Sequence, residues 1–131
     1  MQTLADTTWR LLEAHAFDEA GVELPSPLEP QPMGIATFDA ERMIVAVSDG
    51  RAWLPADVQM RQLISHCGSY RFEGEKVVTR VDGASNPEML GTEEIRSVRF
   101  EGGRMIVTPM STMSRLLGRS SGLVFIWERL G

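Results

Sequence analysis

The sequence predicts an all-β protein, an antiparallel up-and-down β-barrel of about eight strands with one short helix. Apolar and polar residues alternate in short stretches along the whole chain, which is typical of strands with one buried face. Tight glycine turns at Glu73-Gly74-Glu75 and Glu101-Gly102-Gly103 join successive stretches, so neighbouring strands run antiparallel. A meander of this size loses its exposed edges when its first and last strands pair, and we therefore expect closure.

The first strand is predicted over residues 7–17. Its two-residue period puts five side chains on one face, which we expect to be the interior: Trp9, Leu11, Glu13, His15 and Phe17. Prolines at positions 25, 27, 30 and 32 make the next stretch unsuitable for a helix or a central strand, so an ordered loop or lid is expected there. Strands at 34–39 and 42–48 then form a hairpin.

The short helix is predicted over residues 56–65. Pro55 suits a first helical turn, and Val58, Leu63 and Ile64 are spaced unevenly among polar residues. The remaining strands are predicted at residues 66–72, 76–81, 92–100, 104–108 and 122–129. Loops are expected at 84–91, which contains Asn-Pro and glycine, and through 110–118.

Length and composition indicate a single domain over residues 1–131, because 43% apolar residues suffice for one core or one lined cavity. The net charge of -5 excludes a broad phosphate-binding face, so we expect no nucleic-acid partner. No apolar run approaches the roughly 18 residues of a membrane span, and the first residues lack a secretory pattern. A cytoplasmic location is therefore expected. Cys67 is the only cysteine, which excludes an internal disulfide and a cysteine-based zinc site. We expect neither a metal nor another cofactor.

Several segments in order resemble the bacterial lipocalin-like domain proteins, within the wider calycin group of ligand-binding barrels. The segments are Thr8-Trp9-Arg10-Leu11-Leu12, Gly34-Ile35-Ala36, Cys67-Gly68-Ser69-Tyr70-Arg71-Phe72, Asn86-Pro87-Glu88-Met89-Leu90-Gly91-Thr92-Glu93 and Ile126-Trp127-Glu128-Arg129. One departure is Thr7, which stands where the opening motif usually has glycine. The resemblance implies a barrel that holds a small molecule, and the wider group includes both carriers and a few enzymes. Function must therefore be argued from the site.

Arg96 is the strongest candidate anchor for a ligand. On the strand at 92–100 it shares a face with Glu94, Val98 and Phe100, and the apolar end of that face predicts that it lies inward. A guanidinium inside a barrel can bind a carboxylate or a polarised carbonyl, with Glu94 or Glu13 holding it when no ligand is present. The alternative is a structural ion pair or an outward arginine.

The other candidates combine polar anchors with apolar walls. Tyr70 offers a hydroxyl, and a neutral His15 near Glu13 could exchange a hydrogen bond or a proton with a ligand. The alternatives are a Tyr70 ring packed in the core, and a first strand that twists or bulges near its end so that Glu13 and His15 project into water. The full set of predicted ligand-binding residues is Glu13, His15, Phe38, Tyr70, Phe72, Arg96, Phe100 and Phe125. Trp9 and Arg129 are predicted to close the barrel, with the guanidinium over the indole ring in a contact of roughly 0.5–2 kcal/mol.

Three functions fit these observations. The first is binding of a small hydrophobic or aromatic molecule in the barrel cavity. The second is an isomerase, cyclase or hydratase that uses His15, His66 or Glu13 for proton transfer in a desolvated interior. The third is an interaction module with a filled barrel and an apolar outer patch. The expected partner is accordingly a small hydrophobic molecule, and a homodimer is also possible.

Overall fold

The structure, a computed structural model, describes residues 3–17, 20–26, 28, 30–57, 61, 63–109 and 123–131. Its strands are β1 (Thr7–Phe17), β2 (Glu23–Leu24), β3 (Pro32–Phe38), β4 (Arg42–Asp49), β5 (Leu63–Glu73), β6 (Lys76–Ala84), β7 (Glu93–Glu101), β8 (Arg104–Pro109) and β9 (Leu123–Arg129). A 3-10 helix spans Pro87–Met89. None of the described helical residues forms a segment long and apolar enough to cross a membrane.

Eight of these strands form a closed antiparallel barrel, as the sequence predicted. Each long strand pairs with the next in order from β3 to β9, and β1 pairs with both β3 and β9. The register of the closing pair aligns Trp9 with Arg129 and Ala16 with Leu123, so β1 and β9 pair along most of their length. The two-residue strand β2 adds to the far end of β1, where Phe17 lies opposite Glu23.

The two ends of the barrel differ in how the strands are connected. Short turns join β3 to β4, β5 to β6 and β7 to β8, and alternating strand direction puts all three turns at one end, the short-turn end. Gly74, Gly102 and Gly103 in these turns have positive φ angles, which glycine adopts without steric cost. Strands β5, β7 and β9 all begin at the opposite end, the long-loop end.

Aromatic side chains fill the interior towards the short-turn end. The rings of Trp9 and Phe72 each approach Phe100, with centroid distances of 6.0 and 6.4 Å, and Phe38 meets Tyr70 edge-on at 5.2 Å. Leu28, from the proline-rich stretch between β2 and β3, is completely buried in the hydrophobic core of the barrel. These ring contacts make this half of the barrel a packed core, and burial of each large apolar side chain contributes roughly 1.5–3 kcal/mol to stability.

One prediction about the faces of β1 is wrong. The register between β1 and β9 shifts between Leu11 and Glu13, which marks a β-bulge. A bulge adds one residue to a strand, so the side chains beyond it change sides. Ala14 is buried after the bulge, whereas Glu13 and His15 lie on the outer face, in register with Ile126 and Val124 of β9.

The prediction of a helix over residues 56–65 is wrong for residues 63–65, and residues 58–60 and 62 lie outside the described residues. Strand β5 already begins at Leu63, and Ile64 pairs with Val47 of β4. Pairing with β4 buries one face of this stretch, which outweighs its weak local preference for helix. The 3-10 helix lies instead within the predicted loop at 84–91, where the Asn86 side chain accepts a hydrogen bond from the Glu88 amide at 3.0 Å. The loop predicted at 110–118 lies outside the described residues.

Candidate functional site

Three ionisable side chains lie inside the barrel near the long-loop end. Glu94 and Arg96 come from the start of β7 and His66 comes from the start of β5. Their exposed fractions are 2%, 8% and 8%. The inward direction of Arg96 and His66 agrees with the strand period, because Arg96 lies opposite Val77 and His66 lies opposite Val45.

Arg96 and Glu94 form an ion pair inside the barrel. Arg96 Nη2 lies 3.4 Å from Glu94 Oε2, a geometry set by their two-residue spacing on the same face of β7. The pair keeps a buried positive charge next to a negative one, which offsets part of the cost of taking both out of water.

Two polar atoms beside this pair have no hydrogen-bond partner within the described part of the chain. They are Arg96 Nη1 and His66 Nδ1, and both are buried. A buried polar atom without a partner costs roughly 1–3 kcal/mol, and proteins satisfy the great majority of such atoms. The two atoms therefore mark a position at which a bound group could complete the hydrogen bonding.

Both residues line one small cavity with apolar walls. Its volume is about 20 Å³, and its lining is Val45, Val47, Ile64, His66, Met89, Arg96 and Phe125. Ile64 is only partly buried, so the cavity lies close to the surface at the long-loop end. An apolar chamber with few polar groups is the usual form of a small-molecule site, although this one is small.

The electrostatics of the site keep His66 neutral at neutral pH. Burial, and to a lesser extent the nearby positive charge of Arg96, lower the pKa of His66 from 6.5 to about 4. Burial also lowers the pKa of Arg96, while Glu94 opposes this effect. Arginine nevertheless keeps its charge in proteins. The site therefore holds one cation, one anion and one uncharged imidazole.

The predicted ligand-binding residues fall into three groups in the structure. Arg96 and Phe125 line the cavity. Phe38, Tyr70, Phe72 and Phe100 belong to the aromatic core at the short-turn end or pack against it. The Tyr70 hydroxyl donates to the carbonyl oxygen of Asp39 at 2.6 Å, and burial raises its pKa. Tyr70 thus ties down the turn between β3 and β4.

Glu13 and His15 form the third group, and the expectation that they line the interior is wrong. On the outer face, His15 Nε2 lies 3.0 Å from Glu13 Oε1, and His15 Nδ1 lies 3.0 Å from Glu23 Oε2 of β2. Hydrogen bonds to Glu23 and then to Glu13 raise the pKa of His15. The bulge in β1 is the reason, since it rotates both side chains outward.

Trp9 lies opposite Arg129 in the register of β1 and β9 at the other end of the barrel, and the stacking of the guanidinium on the indole ring stays a prediction. Trp9 and Arg129 line a groove of about 270 Å³ at the short-turn end, together with Phe100 and the turn at 101–103. Arg129 Nε donates to the Gly131 carbonyl oxygen at 3.2 Å, and Trp9 Nε1 donates to Thr7 Oγ1 at 2.8 Å. The charged side chains of this groove, Glu101 and Arg129, are exposed, so the groove lacks the buried unpartnered groups of the cavity.

Sequence reasoning missed part of the site. His66 was considered only for proton transfer and Glu94 only as a partner of Arg96, and Met89, Val45 and Val47 were not among the predicted ligand-binding residues. The alternation of Met43, Val45 and Val47 along β4 was the available indication. Among the described residues, no group of three or more histidine, cysteine, aspartate or glutamate side chains could hold a metal ion.

Comparison with known families accounts for nearly the whole chain. Residues 7–130 match the family described as lipocalin-like domain. No curated protein and no solved structure matches the chain in the corresponding comparisons. The match covers all eight strands of the barrel, from the start of β1 to the end of β9. The chain therefore belongs to the lipocalin-like domain family.

Proposed function

We propose that the barrel binds a small molecule through its long-loop end, with a polar group of the ligand at Arg96 and His66 and an apolar body beside them. Family membership suggests ligand binding in general. The observation that supports this site is that Arg96 and His66 line one apolar-walled cavity, and that each has a buried polar atom, Nη1 and Nδ1, without a hydrogen-bond partner among the described residues. Filling their hydrogen-bonding capacity is the favourable change that a bound ligand would bring.

The apolar body of the ligand has its place at the rim. The cavity itself has room for only a few atoms, so the body lies towards Ile64 and Met89. The unbranched thioether of Met89 adapts to varied shapes, and its 3-10 helix belongs to a surface connection rather than to the barrel wall. Burial of apolar ligand area drives binding at about 25 cal/mol per Å².

The test uses a neutral apolar fluorophore, N-phenyl-1-naphthylamine, and a matched pair of variants. Saturable enhancement of its fluorescence is expected with the unmodified protein. Ile64→Trp narrows the rim and should weaken binding by about tenfold, a loss of about 1.4 kcal/mol. Ile44→Trp makes the same change on the outer face, where Ile44 is 50% exposed, and should leave binding unchanged. Equal effects of the two variants, or no saturable signal, would refute the proposal.

Proton-transfer catalysis is less well supported by the same residues. A general base works best with a pKa near the working pH, and His66 has a pKa of about 4. Glu94 is engaged with Arg96. Glu13 and His15, the other residues considered for this role, lie on the outer face.

A second candidate function is supported by apolar residues on the outside of the barrel. Met33, Ile35, Ile44 and Leu63, on the outer face of β3, β4 and β5, are each 45–56% exposed and form an outer apolar patch. Such patches often mark contacts between protein chains. Sedimentation over a range of concentrations tests self-association. A dimer that Ile44→Lys converts to monomer would support it, and a monomer at all concentrations would reject it.

A further inference from the structure

We infer that the ligand carries an uncharged head group, with a carbonyl oxygen and a neighbouring N–H or O–H, that bonds to Arg96 and His66 together. Amides, lactams and hydroxy-carbonyl compounds share this chemistry. The inference rests on the proposed function, because it specifies the ligand of the same site. It narrows the possible ligands through charge, hydrogen-bonding capacity and size.

The charges of the site favour a neutral ligand over a carboxylate. Glu94 already lies 3.4 Å from Arg96, and both are buried, so their charges balance. The imidazole of His66 is neutral at neutral pH because burial lowers its pKa. A carboxylate would therefore bring an unbalanced negative charge into a low-dielectric interior, which is costly. A neutral acceptor leaves the balance intact.

The two unpartnered atoms specify what the head group must offer. Arg96 Nη1 is a donor only, so it requires an acceptor such as a carbonyl oxygen. His66 Nδ1 accepts or donates according to its tautomer. When it accepts, it requires an N–H or O–H donor. Primary amides, lactams and hydroxy-carbonyl groups present an acceptor and a donor on neighbouring atoms.

The size of the cavity limits how much of the ligand enters it. A volume of about 20 Å³ accommodates one water molecule or a compact polar group, since a water needs at least about 10–15 Å³ of such space. The head group would thus take the space that a single water could occupy beside the two residues. A bridging water without any ligand is the competing explanation, and the experiment has an outcome that identifies it.

The experiment compares three probes with one phenyl body: benzamide, benzoate and toluene. Binding is followed by protein-observed ¹H–¹⁵N NMR at neutral pH, with the shifts at His66 and Arg96 as the reporters. Benzamide should bind about tenfold more tightly than either of the others, the effect of one net hydrogen bond. His66→Leu should remove most of this preference while keeping the fold, because Leu has a similar volume and needs no partner.

A double variant tests the role of Arg96 without leaving Glu94 unpaired. Glu94→Gln with Arg96→Met removes both charges, and should abolish the preference for benzamide. The matched control is Glu101→Gln with Arg99→Met, which removes a pair with the same 3.4 Å distance from the exposed face of the same strand. The control should leave the preference unchanged. Amide spectra of all variants report whether they are folded.

Each remaining outcome separates the inference from the function on which it rests. Equal binding of toluene and benzamide at this site would overturn the head-group inference and leave only small-molecule binding at the long-loop end standing. Tighter binding of benzoate would overturn the argument from charge. Binding of N-phenyl-1-naphthylamine without any shift by benzamide would mean that water alone fills the cavity. If neither the fluorophore nor the three probes bind, the proposed function fails as well.

Discussion

Protonation of His66 should destabilise the fold as the pH falls. In the folded protein burial lowers its pKa to about 4, whereas in the unfolded chain it titrates near 6.5. Between these values the unfolded state binds more protons, so the free energy of unfolding decreases as the pH falls from 6.5 to about 4. The difference corresponds to roughly 3 kcal/mol in total. Above the unfolded pKa this contribution is constant.

The direct measurement is a histidine NMR titration, because the chain contains only two histidines. The His66 imidazole signal should titrate with a midpoint near 4. Urea unfolding at pH values from about 7.5 to 4.5 gives the second measurement. Here His66→Leu should lose less stability on acidification than the unmodified protein does, by roughly 2–3 kcal/mol across the range.

Two results would refute the reasoning about His66. A midpoint near 6.5 would mean that the imidazole is solvated or has a partner. Identical pH dependence of the His66→Leu variant and the unmodified protein would mean that its protonation is not linked to unfolding. The carboxylates that titrate in the same range cancel in this comparison, because both proteins contain them.

Three further changes test the fold around the site. Two carboxylates raise the pKa of His15 above 6.5, so His15→Gln should lower the free energy of unfolding below pH 6.5, and by progressively less as the pH rises through the folded pKa. Urea unfolding at two pH values measures this loss, and an equal loss at both would contradict the prediction. Gly68→Ala should destabilise the fold by roughly 1–3 kcal/mol, since its Cβ would lie 1.9 Å from a carbonyl oxygen of the neighbouring strand. In the control Gly131→Ala the new Cβ has no atom within 4 Å, so denaturant melts should show no change in stability. Leu123→Ala, at a fully buried position of the closing strand, should cost about 2–5 kcal/mol against little for exposed Leu130→Ala, and equal losses in thermal unfolding would contradict barrel closure there.

The predictions from sequence succeeded wherever the two-residue period ran without interruption. On β7 the period predicted that Glu94 and Arg96 share the inward face, and both are buried there. On β1 the same reasoning failed beyond Leu11, because one extra residue in the strand reverses every later side chain. A bulge depends on how the partner strand pairs, so the mixed pattern of residues 7–17 left it only as an alternative to an unbroken strand.

Local composition also predicted the wrong secondary structure at residues 63–65 and 87–89. Residues 63–65 have mixed spacing, and their pairing with β4 made them strand. Asn86 followed by Pro87 has the chemistry of a helix start, a cap followed by a proline in the first turn, and a single turn of 3-10 helix forms there. Sequence reasoning had assigned that stretch to a loop, because so short a helix contributes almost no periodic pattern.

The amino-acid sequence by itself predicted eight barrel strands and their hairpin order, because side-chain alternation and glycine turns act between neighbours in the chain. It also predicted closure, because a meander of this size otherwise leaves exposed edges. Only the tertiary structure decided which polar groups meet inside. Arg96 and His66 are thirty residues apart in sequence and line one cavity, because the barrel curves β5 and β7 around a common interior. The low pKa of His66 arises in the same way, since burial and the charge of Arg96 exist only once the strands have assembled.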